Sequence, residues 1–99
     1  MKFLLVEPEF DGHYMILYVR FILRVLNQHG HEVFFLTTKE ATKHVSFNII
    51  KRECPDIKIF KIKRIKPKSY STLDLIKYQY ELFKKIKYTF EKISKENKI

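Results

Sequence analysis

Within the first 37 residues lies the pattern that most limits the fold: Phe3-Leu-Leu-Val6, the polar stretch Glu7-Pro-Glu-Phe-Asp-Gly-His13, a long apolar segment, then Gly30-His-Glu-Val-Phe-Phe-Leu-Thr37. A run of four large apolar residues suits a strand buried on both faces of a parallel sheet, and Pro8, Asp11 and Gly12 end it with turn chemistry. Helical periodicity starts near His13, and Gly30 can adopt the left-handed conformation that closes a helix. A second strand follows within two residues. The pattern predicts a right-handed βαβ unit from the start of the chain, its first loop lying where open α/β sheets bind ligands.

The rest of the chain continues the alternation. Strands are predicted over Lys2–Glu7, Glu32–Thr37 and Asp56–Ile62, the third flanked by lysines and suited to an edge. A first helix spans His13–His29, where Met15, Leu17, Tyr18, Phe21, Ile22, Val25 and Leu26 cover most of the circumference and Arg20, Arg24, Asn27 and Gln28 form the polar stripe. So apolar a helix calls for two neighbours. Thr37 or Thr38 can cap a second helix that runs to Glu53 and stops before Pro55, with Ala41, Val45, Ile49 and the stem of Arg52 on its buried face. After a basic loop, Ser71 or Thr72 caps a third helix reaching Glu96, in which Leu73, Ile76, Tyr80, Phe83, Ile86, Phe90 and Ile93 recur as one apolar stripe.

The order βαβαβα is that of half a doubly wound, Rossmann-like parallel sheet, with three strands in the spatial order 3-2-1. Residues 1–99 are expected to form a partial domain, because a full doubly wound sheet needs more chain. In the full topology a fourth strand lies beside the first. Without it the most apolar strand is an unpaired edge, which natural proteins avoid. A truncated reading frame, the N-terminal piece of a split protein and a dimer that completes its sheet with a second chain all remain open.

Hydrophobic residues at 45% and only two Gly exclude a disordered chain. A single cysteine, Cys54, excludes an internal disulfide and suits a reducing, cytoplasmic setting at a helix end. The apolar stretch at the N-terminus is too short for a signal peptide, and Tyr14–Leu26 is cut by Arg20 and Arg24, so no transmembrane helix is expected.

Phe3-Leu-Leu-Val-Glu-Pro, Gly12-His13-Tyr14, the helix end Asn27-Gln-His-Gly30 and His31-Glu-Val-Phe-Phe-Leu-Thr37 together resemble the start of GT-B glycosyltransferases, notably the family 4 group. The Gly-His-Glu-Val tetrapeptide before the second strand is the best single match. The resemblance covers residues 1 to 38, and the rest agrees with it by element order. It implies an N-terminal, acceptor-side segment of an enzyme that moves a sugar from a nucleotide-sugar donor to a glycan or lipid acceptor. The donor-binding domain lies in a missing C-terminal half, so the chain alone should be inactive and hold no cofactor. By the same resemblance Gly12 and His13 form the acceptor and donor-phosphate loop, and His13 is the weak candidate for a catalytic base. Glycine admits close backbone approach, and free N–H groups at a helix start favour an anion. The sequence departs from the family in having one glycine where two are common, and in crowding the loop with Glu7, Glu9 and Asp11.

Other chemistries find little support. His29 and His31 flank Gly30 without a third ligand, and the acids after the first strand lack a partner Asp after the third, where Lys61, Lys63 and Arg64 stand; no metal is assigned. The dinucleotide fingerprint and the phosphate-binding loop are both missing. Charge is uneven: residues 1–60 carry 8 Lys/Arg against 7 Asp/Glu, residues 61–99 carry 12 against 4. The alternative reading is a non-enzymatic module that completes its sheet with a second chain and lays the basic third helix, through Lys77, Lys84, Lys85 and Lys92, on an anionic membrane or acidic partner. Membrane association would then be on the cytoplasmic face. Nucleic acid is disfavoured, since no recognised module accompanies the charge.

Overall fold

A computed structural model describes residues 1–8, 13–64 and 67–99. Strands β1 (Lys2–Val6), β2 (Glu32–Thr38) and β3 (Lys58–Ile62) alternate with helices α1 (His13–Gln28), α2 (Val45–Glu53) and α3 (Thr72–Asn97). The strands form one parallel sheet in the order β1-β2-β3, the adjacency that the sequence predicts, with β3 at an edge as expected. Phe3 lies opposite Val33, and Phe35 opposite Ile59.

Side chains alternate across β2, and this divides the core in two. Val33 and Phe35 point toward α1 and α2 and pack with Val19, Leu23, Phe47 and Ile50. Phe34 and Leu36 point to the opposite face and meet Tyr78, Leu82 and Ile93 of α3. Every residue of β2 from Val33 to Thr38 is buried, whereas Phe3 to Val6 of β1 are half-buried. The expectation that the first strand is buried on both faces is thus corrected: among the described residues β1 has one neighbouring strand, and it is the central strand that layers on both sides can cover.

The helix ends are set by local chemistry. Gly30 has φ of +75°, and a Cβ there would meet nothing within 4 Å, so glycine is required by the backbone angle alone. Its turn closes α1 through hydrogen bonds from His29 N–H to Val25 O and from His31 N–H to Leu26 O, both 3.2 Å. Ser71 caps α3, its Oγ accepting from Asp74 N–H at 3.3 Å. The Asp74 carboxyl accepts from Ser69 Oγ at 2.5 Å, and this bond, ahead of Ser71, Lys77 and Lys68, holds it below its ordinary pKa against some desolvation.

Two helices differ from expectation. Thr38 does cap, its Oγ1 accepting from Ala41 N–H at 3.1 Å, but the chain then makes only a single 3-10 turn at Ala41–Lys43, and α2 begins afresh at Val45. Phe47 and Ile50 fill the interior with Ala41, while Val45 is 75% exposed and Arg52 exposed. The break at His44, which is extended, resets the helical phase and so changes which residues face inward. In α3 the buried side is Tyr78, Leu82 and Ile93; of the predicted stripe only Ile93 is buried and Ile86 half-buried. Polar anchors explain the rotation. Tyr78 OH accepts from Arg64 Nε at 2.5 Å, and Lys85 Nζ donates to Lys63 O at 3.5 Å, so the Tyr78 and Lys85 side is held against β3 and the segment after it.

α3 runs back along the sheet and delivers its carboxyl end to the start of β1, where Lys2 Nζ donates to Asn97 O at 2.6 Å. α1 is joined to α2 by an ion pair and forked hydrogen bonds between the Arg20 guanidinium and the Glu53 carboxylate. Val19 and Leu23 bury one side of α1, but Leu17, Tyr18 and Phe21 remain exposed around a shallow groove of about 510 Å³. Cys54 is buried just past α2, and its burial, then the Glu53 charge, push its thiol above the ordinary pKa.

Candidate functional site

In a parallel sheet all strands end on the same side, and the connections leaving those ends converge there. Here β1, β2 and β3 deliver Glu7-Pro8, Lys39-Glu40 and Lys63-Arg64 to that side. Backbone pairing continues slightly past the strands: Glu7 N–H donates to Leu36 O at 3.0 Å and Lys39 N–H to Ile62 O at 2.9 Å. Thr38 Oγ1 donates to Pro8 O at 2.8 Å while accepting from Ala41 N–H, tying the exit of β1 to that of β2.

Beyond β3 lies a cleft of about 700 Å³, bounded by Glu40, Arg64, Lys68, Tyr70, Tyr78 and Gln79 among others. Arg64 organises it. Its backbone N–H donates to Glu40 Oε2 at 3.2 Å, its Nε donates to Tyr78 OH, and its guanidinium lies 5.7 Å from the Tyr78 ring centre. Glu40 is held below its usual carboxylate range, first by its own backbone N–H and, despite partial desolvation, by the Arg64 N–H and the charges of Lys43 and Arg64. The wall is mixed in charge, with Glu40 facing Arg64 and Lys68. Thr37 Oγ1, at the end of β2 on the α1 and α2 face, is buried and has no hydrogen-bond partner among the described residues.

Of the residues singled out from the sequence, Gly12 lies outside the described residues, and His13 is described only as the first residue of α1. Glu9 and Asp11 also lie outside them. Of the lysines, Lys77 and Lys84 are exposed on α3, Lys85 is half-buried over Lys63, and Lys92 is exposed on the flank that carries Lys85. Lys87, not among the four, lies on the side away from the sheet. The Glu40–Arg64–Tyr78 group escaped sequence reading because its members are 24 and 14 residues apart and meet only when α3 folds back on β3. Among the described residues no three His, Cys, Asp or Glu side chains converge as a metal site, and no helix is long and apolar enough to cross a membrane.

Comparison with known proteins finds no matching family model, no matching curated protein and no matching solved structure.

Proposed function

We propose that this chain is the acceptor-side, Rossmann-like segment of a GT-B glycosyltransferase, half of a doubly wound sheet. The reading is supported chiefly by the path of the chain. Two crossovers place α1 and α2 on one face, α3 crosses to the other, and its end comes to Lys2 beside the open edge of β1. A doubly wound sheet reverses its winding at this point, and its ligands sit at the carboxyl ends of the flanking strands. Gly12 and His13 follow β1, the strand at that reversal, in the sequence. The Gly30-His-Glu-Val turn, which carries the resemblance, closes α1 through the positive φ of Gly30.

On this reading the acceptor lies against the exits of β1 and β2, and the nucleotide-sugar is held by a domain outside these residues. On the same reading the groups that stabilise a departing nucleoside diphosphate belong to that other domain, so these residues alone are expected to transfer no sugar. The test is an amide-shift titration of the isotope-labelled chain with nucleotide-sugars, oligosaccharides and short-chain polyprenyl phosphates. The expected result is a response to an acceptor, confined to Gly12, His13 and the Lys39–Glu40 segment. A response elsewhere only, or none across the panel, overturns the proposal.

A further inference from the structure

The side of α3 turned away from the sheet carries Leu73, Ile76, Tyr80 and Phe83, each between 59% and 63% exposed. They recur at spacings of three and four, so they form one ridge about 15 Å long on the first half of the helix. Exposed Lys77, Lys84 and Lys87 border or interrupt it, and Lys84 Nζ rests 4.9 Å from the Tyr80 ring centre. The exposed acid of this half, Glu81, lies off the ridge, and Asp74 is engaged by Ser69 and Ser71. Lys63 and Lys68, both exposed, lead up to the helix, and Tyr70, 91% exposed, stands just before it.

We propose that this ridge docks α3 flat on an anionic lipid bilayer, with the apolar and aromatic side chains at the level of the acyl boundary and the lysines among the headgroups. Two observations favour a bilayer over a protein. The apolar residues lie in a line with lysines along it, which is how an interfacial helix is built. The surrounding charge is positive, with 12 Lys/Arg against 4 Asp/Glu in residues 61–99, and matches an anionic surface. Nucleic acid would meet Leu73, Ile76 and Phe83 with phosphates, to no gain. The inference goes beyond the proposed transferase reading and stands or falls without it.

Flotation of the whole chain with vesicles tests it, comparing phosphatidylglycerol-rich with pure phosphatidylcholine membranes at low and high salt. The chain should partition to the anionic vesicles at least about tenfold more strongly, and lose that preference as salt rises. Leu73→Ser with Phe83→Ser, and separately Lys77→Glu with Lys84→Glu and Lys87→Glu, should each lower binding by about tenfold or more while circular dichroism stays unchanged. Equal binding to both vesicles, no binding, or variants that float like the parent would overturn the proposal. So would light scattering that shows a dimer dissociated by the Leu73 and Phe83 changes, since a second copy would then cover the ridge.

Discussion

The two faces of the sheet are covered in different ways. On one, α1 and α2 lie side by side, joined by Arg20 and Glu53, and enclose Val33 and Phe35 among Val19, Leu23, Phe47 and Ile50. On the other, α3 is the one helix among the described residues, and it covers Phe34 and Leu36 with Tyr78, Leu82 and Ile93. Two helices shield each other's flanks, whereas a single helix has two unshielded flanks and must be oriented by other means. Here the means are polar: Arg64 on Tyr78, Lys63 O on Lys85, and Lys2 on Asn97 O. The lesson is that helical spacing of apolar residues does not by itself say which stripe will be buried.

The strongest way to break the comparison is to empty the two-helix side. Phe47 is 2% exposed at the centre of that cluster, and Phe47→Ala should cost about 3–5 kcal/mol, a large part of the roughly 5–15 kcal/mol available to a domain of this size. Urea unfolding measures it. A loss below about 1 kcal/mol would mean that α2 does not pack as described.

Neighbouring residues on α3 sharpen the other side. Leu82 is buried and Phe83 exposed, so Leu82→Ala should cost about 2–4 kcal/mol and Phe83→Ala less than about 0.5 kcal/mol. The reverse order, read from the same urea curves, would put the helix in the rotation that its sequence stripe suggests. Next in size is the cap that starts this lone helix. Ser71→Ala should remove about 1 kcal/mol, and Ser71→Asp should restore most of it, with amide exchange rising in the first turn of α3 for the alanine variant alone.

The smallest effect concerns the link between α1 and α2. The hydrogen bonds from Arg20, ahead of its charge and that of Arg24, hold Glu53 below its ordinary pKa despite some desolvation. The folded pKa is the lower one, so the stabilisation is complete above the unfolded value and disappears as pH falls through the folded value. Glu53→Gln should therefore lower the melting temperature slightly at neutral pH and leave it unchanged in strong acid. A difference that persists in acid would assign the effect to packing.

Much of the fold was legible because it depends on near neighbours. Element order, the Gly30 stop, the Ser71 cap and the edge position of β3 all derive from residues within a turn or two of one another. The interruption after Thr38 was not legible: Ala41, Val45 and Ile49 fit one continuous helix, and only the extended His44 shows that the phase is reset and Phe47 and Ile50 turned inward. Gly12 and His13 were singled out through a resemblance, while the cluster of Glu40, Arg64 and Tyr78 carried no local signal because no short spacing joins them.

The sequence by itself determined a βαβαβα chain with parallel strands and a basic last third, since apolar periodicity, turn residues and caps act over a few residues. Only the tertiary structure decided that β2 and not β1 is the buried strand, that α3 presents Tyr78 and Leu82 to the sheet, and that Leu73, Ile76, Tyr80 and Phe83 face outward. Apolar residues cover more of α1 and α3 than one sheet can bury. Which of them are buried depends on the number of neighbours each element acquires and on polar contacts between residues far apart in the chain.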